Sequence, residues 1–297
     1  LDYCGKLVKE LSFKIKYYYL MEYNDLSIVI VTYQSESKIF DCLKSIPKNI
    51  PVFVIENSNN QEFKKKIQND YKNASCILTG ANKGYAVGNN IGLSQVKTNF
   101  ALVLNPDAIL DKNAIQNFSN FVNNNPDFWL LGPGNSQKEN YNFPSSNILE
   151  VENLKGFGIF FNMKKFNKIF FDENFFLYFE EIDLCKNVKK KGGSIYLDRN
   201  IKIIHEGASS VSKNKFQELE KNRNWHWMWS TFYFHKKHKG FLISFILIFP
   251  KLLSSIIRSI FYQITQNKEK RDIYLSRLSG LFNSIIGKKS WYRPSLD

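Results

Sequence analysis

Phe100-Ala101-Leu102-Val103-Leu104 runs straight into Asn105-Pro106-Asp107. An unbroken apolar run of this kind reads as a strand buried on both faces, which a parallel sheet covered by helices on both sides provides. Pro106 has no N–H to donate and ends the ladder. Asp107 then stands just past the carboxyl end of the strand, the edge where open α/β sheets bind ligands. A carboxylate there, with the Asn105 amide two residues before it, suits a hard divalent cation and a sugar hydroxyl. The same three residues are also turn formers, so a plain turn is the competing reading.

The neighbouring sequence repeats this pattern. Leu26 to Thr32 is a first buried strand, and Ile39, Cys42, Leu43 and Ile46 then recur at helical spacing up to Pro47. Pro51 to Ile55 gives a second strand, ending in Glu56-Asn57-Ser58. Phe63, Ile67 and Tyr71 mark a second helix, and Ser75 to Leu78 a third strand. Asp111 is placed to cap a helix carrying Ile115, Phe118 and Val122, and Phe128 to Leu131 is a further strand. Alternation of this kind over residues 26–132 specifies an α/β fold with a mostly parallel, Rossmann-like sheet. Thr32, Tyr33, Glu56, the loop after Leu78 and Asp107 all follow strands, so all are expected at one edge.

The loop after the third strand reads Asn82-Lys83-Gly84-Tyr85-Ala86-Val87-Gly88-Asn89-Asn90-Ile91-Gly92. Glycines at four-residue spacing put small residues on one side of a helix start, where the backbone can approach a ligand or the sheet closely. A helix N-terminus at that edge also attracts phosphate. The spacing is neither a P-loop nor a dinucleotide fingerprint.

Taken in order, these segments resemble family 2 glycosyltransferases of the GT-A fold, in the bacterial rhamnosyltransferase-like branch. The resemblance rests on Ser27 to Tyr33, Glu56-Asn57-Ser58, Asn82 to Gly92, and Leu104-Asn105-Pro106-Asp107. It continues through Gly156-Phe157-Gly158, Phe175 to Leu184, and His205 followed by Gly207 and Ser209, covering roughly residues 25–240. It implies an inverting transferase that uses a nucleoside diphosphate sugar (UDP- or dTDP-linked, with dTDP-rhamnose one candidate) and a glycan or polyprenyl-linked acceptor. A divalent metal, Mg²⁺ or Mn²⁺, would sit on Asp107 and His205. Donor binding would fall to Thr32, Tyr33, Glu56, Asn57, Asn82, Lys83, Gly84, Gly88, Asn90, Asn105 and Arg223.

Glu180, Glu181 and Asp183 crowd three carboxylates behind the aromatic run from Phe175 to Phe179. Mutual repulsion and desolvation should raise at least one pKa into the range of a general base. The acidic first turn of a helix is the alternative, and the two readings are compatible. The resemblance assigns the base to Glu181, with Asp183 as runner-up and Glu180 in the same cluster. The family usually shows Asp where this chain has Glu181, and Asp where it has Glu56.

The net charge is +14, and it is concentrated: residues 185–297 hold 22 Lys and Arg against 7 Asp and Glu. An anionic partner is therefore expected in that half. Aromatics among basic residues from Asn222 to Lys239 also suit single-stranded nucleic acid, but the acidic cluster argues against a polyanion, and none is expected. Phe241 to Phe249 is too short to span a bilayer. After Pro250, Lys251, Ser254, Ser255, Arg258 and Ser259 share one helical face. Leu252, Leu253, Ile256, Ile257, Ile260 and Phe261 share the other.

That pattern fits an in-plane membrane helix; packing on the catalytic domain or on a second subunit of a homodimer is the alternative. Four cysteines without paired spacing and no signal-peptide pattern fit a cytoplasmic protein on the inner face of the cell membrane. The expected organisation is an extension at 1–24, a GT-A domain at 25–240 and a helical region at 241–297. A nucleotide-sugar pyrophosphorylase would need a basic Gly-rich loop after the first strand, which Thr32 to Glu36 lacks. A non-catalytic scaffold that kept the fold is the remaining rival.

Overall fold

The computed structural model describes residues 25–135, 146–167, 170–205 and 213–293. The extension at 1–24, Gly207 and Ser209 lie outside them. In chain order the elements are β1 (Leu26–Thr32), α1 (Glu36–Lys44), β2 (Val52–Glu56), α2 (Gln61–Asp70), β3 (Ala74–Leu78), α3 (Tyr85–Gln95), β4 (Phe100–Leu104), β5 (Ala108–Leu110) and α4 (Ala114–Asn124). There follow β6 (Leu130–Asn135), β7 (Ile148–Glu150), β8 (Gly158–Asn162), α5 (Glu180–Lys190), β9 (Ile195–His205), α6 (Lys213–Lys239), α7 (Phe241–Ile264) and α8 (Lys268–Ile285).

The sheet order is β3-β2-β1-β4-β8-β6-β9-β5, with β7 also on β9. The first four strands are parallel, as the alternating sequence requires. Beyond β4 the sheet is mixed: β8 runs antiparallel to both β4 and β6, and β9 is parallel to β6 but antiparallel to β5 and β7. The apolar runs of residues 128–162 marked strands but carried no signal for their direction. Helices cover both faces. One core layer joins Leu102 and Phe160 to α1, α2 and α4; the other joins Val103 and Phe161 to α3 and α5. Every residue of β4 is buried, as its unbroken apolar run demands. Phe118 stacks on Phe160 with ring centroids 4.5 Å apart. Burying such a ring stabilises the fold by about 1.5–3 kcal/mol. The helix after Asp111 is capped at Asn113 rather than at Asp111, whose Oδ1 instead accepts the Asn113 N–H at 3.0 Å.

Register levels the strand ends. Thr32 pairs with Glu56, Glu56 with Leu78, and Ile30 with Leu104. The antiparallel pairing of β5 with β9 sets Ala108 opposite His205. A residue nearly one hundred positions downstream is thereby brought beside Asp107.

The C-terminal helices form a second, smaller core of Met228, Phe232, Ile248 and Leu281. Helix α6 belongs to this core and also grips the sheet domain through Ser230 Oγ, which donates to the Leu177 carbonyl at 2.9 Å. Helix α6 thus joins the sheet domain to the helices that follow residue 240. Pro250 does not end the apolar segment: α7 continues through it to Ile264 as 24 residues. Proline removes one internal hydrogen bond, and packing against α6 and α8 carries the helix past the loss.

Candidate active site

The parallel strands deliver Thr32, Glu56, Asn57, Asn105 and Asp107 to one edge. Glu56 is buried, and its carboxylate is used locally: Oε1 accepts from Ser58 Oγ at 2.7 Å, and Oε2 from the Ser58 and Asn60 N–H groups at 3.2 Å each. Asn57 joins two loops. Its amide donates to Asn82 Oδ1 and the Gly84 carbonyl, both at 3.1 Å, while its oxygen accepts from Lys83 N–H and Thr79 Oγ1, both at 3.0 Å. These bonds fix the start of the glycine loop beneath an exposed Lys83. Tyr33 is half-buried beside Thr32, whose hydroxyl is buried with no partner among the described residues.

The glycines serve packing. A Cβ on Gly88 would stand 2.7 Å from Val31 Cγ1, and one on Gly92 2.3 Å from Val29 Cγ1, so both let α3 lie close on the sheet. Gly84 has φ +88°, and a Cβ there would meet the Phe176 carbonyl oxygen at 2.5 Å. Asn90 is turned away from the strand edge. Its amide donates to the Phe171 carbonyl at 2.9 Å and its oxygen accepts the Phe171 N–H at 3.0 Å. Gly88 thus packs on Val31, and Asn90 clamps Phe171.

Asp107 Oδ1 lies 3.2 Å from His205 Nε2, and the Asn105 amide nitrogen lies 3.4 Å from the same ring nitrogen. Burial pushes the Asp107 carboxyl up, but the hydrogen bond and charge of His205 outweigh it, leaving the group below its ordinary value. The pair therefore offers an ionised oxygen and an imidazole nitrogen to one point. No third His, Cys, Asp or Glu joins them among the described residues. Such a set fits a divalent cation that takes its remaining ligands from water and phosphate oxygens.

Phe157 carries this corner to the acids. Its ring stacks on His205 with centroids 5.1 Å apart, and its carbonyl accepts the Asn105 N–H at 3.0 Å. Beside it, a Cβ placed on Gly156 would stand 3.8 Å from the Glu181 carboxyl carbon. Tyr85 Oη donates to the Gly156 carbonyl at 2.6 Å. Burial raises the Glu181 carboxyl, and burial followed by the charge of Glu181 raises Glu180 well above the usual range. Glu180 Oε2 is buried without a partner among the described residues.

Asp183 is placed differently. It is fully buried, and its oxygens meet Lys237 Nζ at 2.7 Å, His238 Nε2 at 2.7 Å and Asn187 Nδ2 at 2.9 Å. Burial holds the His238 imidazole below its ordinary value despite Asp183, so His238 meets the carboxylate as a neutral N–H donor and Lys237 supplies the charge. Asp183 is thus an anchor for α6, and no proton acceptor can be reached there. The turn before it is strained. Tyr178 and Phe179 both have φ 71°, a left-handed conformation that costs a non-glycine residue about 1–2 kcal/mol. Trp227 of α6 packs on both rings, with centroids 5.6 and 5.4 Å away, and Ser230 holds Leu177. Arg223 pairs with Glu220 at 3.0 Å, on the same side as Tyr178.

Arg293 reaches the glycine loop from the far end of the chain. Its Nε donates to the Asn82 carbonyl at 3.2 Å, and its guanidinium lies 3.3 Å from the Phe176 ring centre. Burial lowers it to about 10. Sequence reading missed Arg293, Tyr85 and Lys237 as supports of the site, because their roles arise from contacts remote in the chain. A cleft of about 850 Å³ lined by Asp111, Asn117, Asn120, Asp198 and Asn200 contains none of the candidate residues.

A half-parallel, half-mixed sheet bearing an Asp and a His at the strand ends, beside a buried carboxylate pair, defines a GT-A glycosyltransferase. The chain belongs to glycosyl transferase family 2, whose profile matches residues 27–185. It is 25% identical over 221 residues to the low-salt glycan biosynthesis hexosyltransferase Agl10 of Haloferax volcanii, a match covering 65% of this chain and 70% of that protein. The fold is also that of S. aureus TarS 1–349, at 15% identity and TM-score 0.52, covering 91% of this chain and 93% of that one. The UDP complex of the same TarS fragment superposes with TM-score 0.51 at 15% identity, again covering 91% and 93%.

Proposed function

We propose that the chain transfers a sugar from a nucleoside diphosphate sugar to a hydroxyl of a glycan or lipid-linked acceptor, with inversion at the anomeric carbon. The observation that carries this reading is the Glu181 carboxyl. It is raised by burial, it lies against Gly156, and it is one stacked residue away from the Asp107–His205 pair. Asn57 and Asn82 shape the donor loop, and Thr32, Tyr33 and Lys83 face the donor from the strand ends. Asp107 and His205 would hold a divalent cation, which when bound supplies positive charge against the donor's phosphates. Glu181 accepts the proton of the acceptor hydroxyl as its oxygen attacks the anomeric carbon opposite the leaving diphosphate. One base and one displacement give inversion.

The donor is proposed to be a UDP- or dTDP-sugar, with dTDP-rhamnose included. Thermal denaturation with each nucleoside diphosphate, with and without Mn²⁺, tests the reading, since a ligand of the native state raises the midpoint by mass action. A Mn²⁺-dependent rise with UDP or dTDP that Asp107→Ala abolishes is expected. No rise with any nucleotide overturns the reading in favour of a scaffold.

A further inference from the structure

Helix α7 packs by its small polar residues and turns its large apolar ones outward. Its buried positions are Ser244, Ile248, Ser255 and Ser259, so three of the four are serines turned into the bundle. The apolar residues face outward: Leu242 is 77% exposed, Ile246 69%, Ile257 57% and Ile260 56%. Phe245, Phe249, Leu253 and Phe261 add to the same surface. An uninterrupted apolar face of this length is what a soluble monomer avoids.

The rim of that face is cationic. Lys251 and Arg258 lie seven residues apart, two turns along one flank, with Lys236 at one end of the helix and Lys270 beside the other. None of the four pairs with a carboxylate among the described residues. Lys251 rests over Trp227, Arg258 donates to Tyr274 Oη at 2.6 Å, and Lys236 and Lys270 lie over Phe241 and Tyr262. From Gly240 to Asn267 the chain has no Asp or Glu.

We propose that this face docks on an anionic phospholipid bilayer, with α7 lying in the plane of the interface. By length and composition α7 could cross a membrane. Its partners forbid that: Arg271 donates to Gln263 Oε1 at 2.8 Å, and Arg258 is tied to α8, so a crossing helix would draw these cations into hydrocarbon. Lying flat buries the outward apolar residues and leaves Lys251 and Arg258 at phosphate depth. A second copy is disfavoured, because a two-fold contact would set one unpaired cationic rim against another. Trp227, 41% exposed, touches both Lys251 and the strained Tyr178–Phe179 pair, so the bilayer surface reaches the turn that carries Glu180 and Glu181.

Vesicle flotation of the full chain tests this independently of any transferase activity. Wild-type protein should float with phosphatidylglycerol–phosphatidylcholine vesicles, and less so as salt rises. Ile246→Glu/Ile257→Glu, at exposed positions and with an unchanged circular dichroism spectrum, should bind at least tenfold more weakly. Lys251→Gln/Arg258→Gln should lose about fivefold per charge on anionic vesicles only. Three outcomes overturn the proposal. One is no flotation of the wild type. Another is flotation insensitive to both pairs of substitutions. The third is a lipid-independent dimer by light scattering that Ile246→Glu dissociates while vesicles remain unbound.

Discussion

The Asp107 carboxylate and the His205 imidazole, 3.2 Å apart, are set together by one antiparallel pairing in which Ala108 faces His205. Neither strand alone makes a site. Asp107→Asn keeps the shape and removes the charge, and His205→Ala removes the nitrogen. Each should lower kcat/KM by about 10²–10³-fold, the scale of losing one preorganised charge-stabilising group. Initial rates across a Mn²⁺ series are the measurement; wild-type rates in both variants would rule out a role for the pair.

Glu181 should set the acid limb of the pH profile. Burial raises its carboxyl above the ordinary 4.5, and a base acts when deprotonated. Activity should therefore rise with pH through a midpoint above that value. In Glu181→Gln the limb should vanish and kcat fall by about 10²–10⁴-fold, with donor KM nearly unchanged.

Glu180 should affect stability more than rate. Burial holds its proton well above the ordinary 4.5, whereas the unfolded chain releases that proton near 4.5. The folded form thus binds the extra proton, and stability falls as pH rises above 4.5 until folded Glu180 ionises. Melting temperature against pH should be flatter for Glu180→Gln than for wild type, and higher at neutral pH. Equal slopes would show that Glu180 titrates normally.

Asp183→Asn separates an anchor from a base. It removes the charge from the buried partner of Lys237, which keeps its second carboxylate, Asp172, at 2.7 Å, so the loss is that of a charged hydrogen bond, about 1.5–3 kcal/mol. Denaturant unfolding should show the loss. The folded fraction should keep the wild-type pH profile; its complete inactivity would make Asp183 the base.

Gly84→Ala and Gly80→Ala form a matched test. Both glycines have positive φ, +88° and +77°, but only Gly84 has a neighbour, the Phe176 carbonyl, in the path of a Cβ. Gly80→Ala should cost about 1–2 kcal/mol, the conformational penalty alone. Gly84→Ala should cost more and weaken nucleotide binding in calorimetry, because Phe176 and the Asn57 bonds must move with it.

The sequence by itself determined the parallel half of the sheet, its buried β4 and the residues at its ends. Apolar runs closed by Pro, Asn and Asp are local signals, and strand ends follow from them. It also marked Glu180 and Glu181 as a desolvated pair, since the aromatic run and the repeated charge are adjacent in the chain. Tertiary structure decided what depends on distant partners. The directions of β8 and β9, and with them the meeting of His205 with Asp107, come from pairings no local pattern encodes. Asp183 is tied to Lys237 and His238, more than fifty residues away. Asn90 reads as a loop amide in sequence but spends both ends on Phe171. In α7, the 3.6-residue period shows two faces but not which one packs. The small serines fit close against α6 and α8, so the larger apolar side chains were left outside.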